Sequence, residues 1–241
     1  MRLLVSVANA TEASAALAGG ADLIDAKDPL AGALGAVPIA VLAEIHAAVC
    51  GAHPVTAAIG DAADEAAIEA TARVFADAGS ALVKVGFAGI ASASRIALLA
   101  AAAQRGVTAG GAGDCGVILV AYADAKRATS LAPTALVDVA ARAGVRGVLL
   151  DTADKRGPGL RALIAPDALA TWVARAHQRG LLVALAGQLA PDDLPFVRDT
   201  GADVAGVRGA ACEGGRTGRV SADRVRMLRS LCGSAESLAL R

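Results

Sequence analysis

Short apolar runs alternate with longer amphipathic stretches from one end of the 241-residue chain to the other. The runs cover residues 3–7, 22–27, 54–59, 82–85, 117–122, 147–151, 181–186 and 203–207. Most are closed by a glycine or an Asp-Pro, and they are apolar on successive positions rather than on alternate ones. Strands that bury both faces have this pattern. The fifth could draw part of its length from Thr108–Gly116. Between the runs, apolar residues recur at helical spacing. A helix capped by Thr11 ends at Gly19-Gly20. A second runs from about Pro38 to Val49, with Ile39, Leu42, Ile45 and Val49 on its inner face. A third covers 64–78, with Ile68, Val74 and Phe75 inward. A fourth starts near Ser92 and ends before Gly106. The others begin at Pro133, Pro166, Pro191 and Ser221. Strands and helices in strict alternation predict parallel βαβ units, and eight such units in this length predict a single (β/α)8 TIM barrel, α/β in class, over residues 1–241. An open doubly wound sheet is the rival, but no dinucleotide fingerprint follows the first strand.

Composition changes this picture little and narrows its use. Hydrophobic residues make up 55% of the chain and aromatics 2%, so the core must be built from Ala, Val, Leu and Ile. The 23 Lys and Arg balance the 23 Asp and Glu, so no global charge draws the chain to nucleic acid or to a membrane surface. No apolar run approaches the roughly 18 residues of a spanning helix. The N-terminal segment reads as the first strand, not as a signal peptide. Cys50, Cys115, Cys212 and Cys232 are scattered without a CxxC, which argues against a zinc site or a disulfide scaffold and fits a reducing cytoplasm. His46, His53 and His177 form no metal-ligand set.

Candidate chemistry collects where a barrel would place it, at the C-terminal ends of the strands. The second strand ends Asp22-Leu-Ile-Asp-Ala-Lys27, so Asp25 and Lys27 point to one side, two residues apart. A lysine there is either half of a structural ion pair or an amine nucleophile able to form a Schiff base with a carbonyl. Lys84 lies inside the fourth strand, and Asp61, Asp124 and Asp151 follow the third, fifth and sixth. Lys155 sits in the loop behind Asp151. The chain has few lysines, Lys27, Lys84, Lys126 and Lys155, and three of them fall at or just after strand ends. Two ammonium groups facing one barrel interior would disfavour each other's charge and leave one neutral. Gly-containing turns after strands seven and eight, at Gly187 and Gly209, with Arg208 beside them, suit phosphate. Arg208 could instead form a barrel-mouth ion pair. Cys212 and Tyr122 read as packing residues, and the stretch from Arg216 to Arg229 as a solvated loop and helix face.

Several blocks resemble one family. Gly19-Gly-Ala-Asp-Leu-Ile-Asp-Ala-Lys-Asp-Pro29, Val83-Lys-Val-Gly86, Ala121-Tyr-Ala-Asp124, Leu150-Asp-Thr-Ala153 with Lys155, Ala184-Leu-Ala-Gly187 and Gly206-Val-Arg-Gly-Ala-Ala-Cys212 are similar, in order, to (5-formylfuran-3-yl)methyl phosphate synthase of methanofuran and methylofuran biosynthesis. The resemblance implies a cytoplasmic TIM-barrel lyase that condenses two molecules of glyceraldehyde 3-phosphate to 4-(hydroxymethyl)-2-furancarboxaldehyde phosphate. It implies Lys27 as the Schiff-base residue and Lys84 as the proton-transferring one. Asp25 and Asp151 would hold the lysines. Lys155, Arg208, Asp124 and the Gly187 and Gly209 backbone are the expected phosphate and substrate contacts. No cofactor or metal is expected, the partner is a small phosphorylated molecule, and a homo-oligomer is compatible with the chain. A class I aldolase acting on another sugar phosphate is the alternative.

Overall fold

In a computed structural model, which describes residues 1–110 and 115–233, eight parallel strands close into a barrel in sequence order. They are β1 (Arg2–Val7), β2 (Leu23–Ala26), β3 (Val55–Asp61), β4 (Leu82–Gly86), β5 (Gly116–Tyr122), β6 (Gly147–Asp151), β7 (Leu182–Leu185) and β8 (Val204–Val207). The seam is the β1–β8 pairing, with Leu3 opposite Ala205 and Val5 opposite Val207. The expected alternation follows at every step. The main helices are α1 (Ala10–Ala18), α2 (Ile39–Val49), α3 (Glu65–Asp77), α4 (Ala93–Ala109), α6 (Pro133–Ala143), α8 (Pro166–His177), α9 (Leu194–Asp199) and α10 (Ala222–Leu231). Two single-turn helices, α5 (Ala125–Ala128) and α7 (Leu160–Leu163), decorate the loops after β5 and β6. After β8 a 3-10 turn (Gly209–Ala211) leads into a small hairpin of β9 (Cys212–Glu213) and β10 (Arg219–Val220).

Strand alternation sorts the side chains into two layers. Leu3, Val5 and Val7, with Ile24, Val83, Val85 and Val148, pack outward against the helices. Leu4, Leu23, Ala58, Ile118, Val120, Leu149 and Val204 fill the barrel interior. The same interior-facing register continues toward the C-terminal rim through Ser6, Asp25, Lys84 and Asp151. Polar groups therefore crown an aliphatic plug. Few bulky aromatics are needed, because each helix meets the sheet mainly through alanine, valine and leucine.

Several local expectations differ. Gly106 lies inside α4, not beyond its end. A Cβ there would fall 2.9 Å from the Cβ of Ala72 and would also overlap the α3 backbone, so the glycine lets the two helices approach closely. That packing outweighs a propensity cost of about 1 kcal/mol. The α1 cap is Asn9, whose side chain accepts from the Glu12 N–H at 3.0 Å, rather than Thr11. Ile39 and Val74, expected inward, are 38% and 45% exposed. Of Thr108–Gly116, Thr108 and Ala109 are helical and Gly116 opens β5, while residues 111–114 lie outside the described part.

Candidate active site

The rim encloses a cavity of about 340 Å³, in the size range of small-molecule sites. Its walls include Ser6, Asp25, Lys27, Lys84, Asp151, Lys155, Gly187, Arg208, Gly209 and Arg216. Lys27 and Lys84 share it, and neither turns out toward the helices. Both are buried, as are Asp25 and Asp151.

Asp25 anchors one side. It accepts from the hydroxyls of Ser6 and Thr56, each at 2.8 Å, and pairs with the Lys84 ammonium. The four residues lie on β1, β2, β3 and β4, so the side-by-side pairing of these strands assembles the contacts. Asp151 anchors the other side. It accepts from its neighbour's Thr152 N–H at 2.7 Å and from Lys155 Nζ at 2.6 Å. Burial alone would raise the Asp151 pKa, but the charges of Lys155 and Lys27 together with these hydrogen bonds hold it below the usual carboxylate value.

Lys27 stands between the two pairs and, among the described residues, has no ion-pair partner of its own. Burial is the main force on it and pushes its pKa down from 10.5 to about 8. Asp151 opposes the shift, Lys155 adds to it, Asp25 opposes it, and Lys84 adds to it. The arrangement can hold a partly neutral primary amine near two lysines that are each paired with a carboxylate, which is what carbonyl addition followed by proton transfer requires.

The rim is braced by its loops. Tyr122 donates to Asp61 at 2.7 Å, and Asp61 also accepts from the Ala88 N–H, which ties the ends of β3, β4 and β5 together. Burial and the Asp61 charge raise the Tyr122 pKa, so the phenol stays protonated. The side chain of Gln188, at a left-handed φ of 57°, donates to the carbonyls of Asp154, Gly157 and Pro158 and so braces the loop that carries Lys155.

Of the expected phosphate contacts, one is placed elsewhere and one is in place but already engaged. Asp124 is outside the cavity wall; its carboxylate accepts the Ala153 and Asp154 N–H groups at 2.8 and 2.9 Å and shapes the loop before Lys155. Arg208 does line the cavity, but its five N–H groups are all engaged, by Glu12 on both terminal nitrogens, Ser6 O, Gly218 O and Arg216 O. It is the barrel-mouth ion pair that the sequence left as the other option, and it has no donor left for a phosphate. Gly187 and Gly209 are on the cavity wall as expected, and among the described residues neither N–H makes a backbone hydrogen bond. Gly187 has a φ of 102°, a conformation that favours glycine.

Sequence reasoning missed four residues. Ser6, at the end of β1 and facing inward, obeys the same strand-end rule that singled out Lys27. Thr56 lies early in β3 and Glu12 on a helix, where no local signal marks them. Arg216, assigned to a solvated stretch, instead lines the cavity. Of the remaining lysines, Lys126 is exposed on α5, and Cys212 is buried in the core.

Residues 3–229 match the family model described as 4-HFC-P synthase. The chain is 41% identical over 239 residues to the (5-formylfuran-3-yl)methyl phosphate synthase of Methanopyrus kandleri, covering 99% of both chains. It is 35% identical to the protein of that name from Methanocaldococcus jannaschii, covering 96% of this chain and all of that one. A Streptomyces griseus protein described as putative in the same role is 38% identical, over 89% of this chain and 87% of its own. Among solved structures, 3-hexulose-6-phosphate synthase from Salmonella typhimurium superposes with a TM-score of 0.66 at 18% identity, over 96% of this chain and 98% of that one. Phosphoribosyl anthranilate isomerase from Thermus thermophilus gives 0.65 at 16%, over 96% and 98%. At such identities the structural likeness concerns the barrel alone.

Proposed function

This chain belongs to the 4-HFC-P synthase family, and we propose from that premise that it is a Schiff-base lyase. It would condense two molecules of glyceraldehyde 3-phosphate to 4-(hydroxymethyl)-2-furancarboxaldehyde phosphate, a step of methanofuran biosynthesis. The observation that carries the reading is Lys27, a buried amine without an ion-pair partner among the described residues and with a pKa of about 8, flanked by two carboxylate-paired lysines in one cavity.

Neutral Lys27 adds to a triose phosphate carbonyl and loses water to form an iminium. The iminium draws electrons from the neighbouring carbon and acidifies its C–H bond. The Lys84–Asp25 pair removes that proton and leaves an enamine, whose carbon attacks the aldehyde of the second triose phosphate. Asp25, held by Ser6 and Thr56, keeps the pair in place. Lys155 and Asp151 serve the later proton transfers, and Lys155 with the backbone N–H groups of Gly187 and Gly209 holds phosphate. Ring closure, loss of one phosphate and loss of two waters give the furan, and hydrolysis of the iminium frees its aldehyde and returns the Lys27 amine, with every carbon of both substrates retained. The lysine is the electron sink, so the sequence of steps requires no added cofactor. Besides Lys27, the cavity wall carries four basic side chains, Lys84, Lys155, Arg208 and Arg216, against two carboxylates, Asp25 and Asp151. Even with Glu12 counted behind Arg208, a positive excess remains to receive phosphorylated substrates.

Borohydride reduction in the presence of glyceraldehyde 3-phosphate should fix the label on the peptide that carries Lys27, and unreduced enzyme should generate furan absorbance with one inorganic phosphate per product. A label on another lysine would remove the mechanism. A label on Lys27 without release of phosphate would identify a class I aldolase instead.

A further inference from the structure

The proposed reaction brings two phosphates into the cavity, and the cations that line it are not equally free to meet them. Lys84 is paired with Asp25. Lys155 spends donors on Asp151 and on the Thr152 hydroxyl at 3.4 Å. Arg208 has none left. Arg216 differs. Its terminal nitrogens donate to Pro29 O and to Gly32 O, the latter at 2.6 Å, and of its five N–H groups the others have no partner among the described residues. The side chain is half-buried on the cavity wall. Its own carbonyl is fixed by Arg208 Nε at 2.9 Å, and Arg208 is locked to Glu12. Gly209 packs on the backbone of that residue: a Cβ on the glycine would stand 3.7 Å from the Arg216 backbone nitrogen. The turn after β8 thus fixes the stem of Arg216 while its guanidinium extends along the cavity wall.

The two carbonyls it grips belong to residues 28–37, the loop that leaves Lys27 and supplies Leu34 to the cavity wall. Asp28 and Gly35 close that loop on itself with a backbone bond of 2.9 Å. Arg216 therefore reaches across the mouth from the hairpin after β8 to the loop after β2. Burial lowers its pKa, the charges of Asp151 and Asp28 oppose that and the Arg208 charge adds to it; an arginine keeps its proton in proteins, so a charged guanidinium sits near the reacting centre.

We propose that Arg216 binds the phosphate of one of the two triose phosphates through its remaining N–H groups, while the same guanidinium holds the β2 loop over the bound substrate. The inference rests on the two-substrate reaction proposed above. A planar fork with free donors matches two phosphate oxygens, which a lysine cannot do. Phosphate occupancy and the position of the loop behind Lys27 become one event.

The test compares a phosphorylated with an unphosphorylated substrate. In Arg216→Gln the KM for glyceraldehyde 3-phosphate should rise about 10- to 100-fold, the size of a lost charge-assisted contact. Borohydride trapping of unphosphorylated glyceraldehyde on Lys27 should weaken several-fold less than that, because this ligand uses the guanidinium only through the loop it holds. Equal losses for both ligands would make Arg216 a loop clasp only, and an unchanged KM would remove it from the site; either overturns the proposal. Should the variant fail to fold, the wild-type chain serves. Millimolar inorganic phosphate should slow phenylglyoxal modification of Arg216, read by peptide mass mapping, and leave exposed Arg226 unaffected. Any result in which phosphate leaves the rate at Arg216 unchanged overturns the proposal. This readout needs no turnover. A wild-type protein that makes no furan but whose Arg216 is shielded would remove the proposed reaction and leave the phosphate site standing.

Discussion

Lys27 shows how much a single side chain can be moved by its surroundings. With a pKa of about 8 instead of 10.5, roughly 10% of it is neutral at pH 7, against ~0.03% for an ordinary lysine. Borohydride-trappable imine should therefore form faster as pH rises through about 8 and level off above it, a profile read by stopped trapping at fixed substrate. The same displacement carries a stability cost whose sign follows from proton counting. Between pH 8 and 10.5 the unfolded chain holds the Lys27 proton more fully than the folded one does, so stability rises with pH across that window. Below pH 8 the whole penalty, about 3 kcal/mol, weighs on the fold. Lys27→Met removes it and keeps the apolar stem. Urea denaturation at pH 7 should show the variant more stable by about 1–3 kcal/mol, with trapping abolished. A variant less stable than the parent would mean that the amine is not held in a desolvated place. A lysine two residues from an aspartate is visible in the sequence, and the strand-end rule found it. Its reactivity was not visible, because desolvation and the charges of Asp151 and Lys155 come from strands and loops more than a hundred residues away.

Elements act here through what they hold at their ends. Helix α1 begins with Asn9 accepting from Glu12, and Glu12 turns its carboxylate to the Ala8 N–H and to Arg208 beyond β8. One helix start thus braces the turn at the barrel seam. Both partners are buried, so loss of one leaves the other charge uncompensated. Glu12→Gln keeps the shape and removes the charge, and should cost about 3–5 kcal/mol in urea unfolding. A cost below ~1 kcal/mol would show that Arg208 is solvated in solution and free to meet phosphate after all. The strands were legible to within a residue or two, since apolar runs and their glycine stops are local. Helix ends were less so. Gly106 has the chemistry of a helix stop, yet α4 continues through it, because α3 lies close enough that a side chain would not fit. Thr11 and Asn9 are both good caps, and the choice between them depends on where β1 releases the chain.

At the scale of the whole molecule, net charge is zero while the cavity is cationic. Any electrostatic pull on a phosphorylated substrate must come from the barrel mouth. The KM for glyceraldehyde 3-phosphate should rise about threefold or more between 0.05 and 0.5 M NaCl, as screening shortens the reach of those charges, while the value for unphosphorylated glyceraldehyde stays level. Equal salt effects on both would point to a change in the fold rather than in the field. None of the helices among the described residues is long and apolar enough to cross a membrane. The alternation of short continuous apolar runs with stretches of period 3.6 was enough, read along the chain alone, to determine the barrel and the end at which polar residues gather, because both depend on neighbours in sequence. Which of those polar groups face one another was decided only when strands distant in sequence paired and β8 closed on β1. Asp25 needs Ser6 and Thr56 from the flanking strands, and Arg208 is consumed by Glu12 some two hundred positions before it. Arg216, indistinguishable in sequence from a solvated arginine, becomes part of the cavity wall through the same closure. Pairing at such separations is a property of the closed barrel, and no window of sequence contains it.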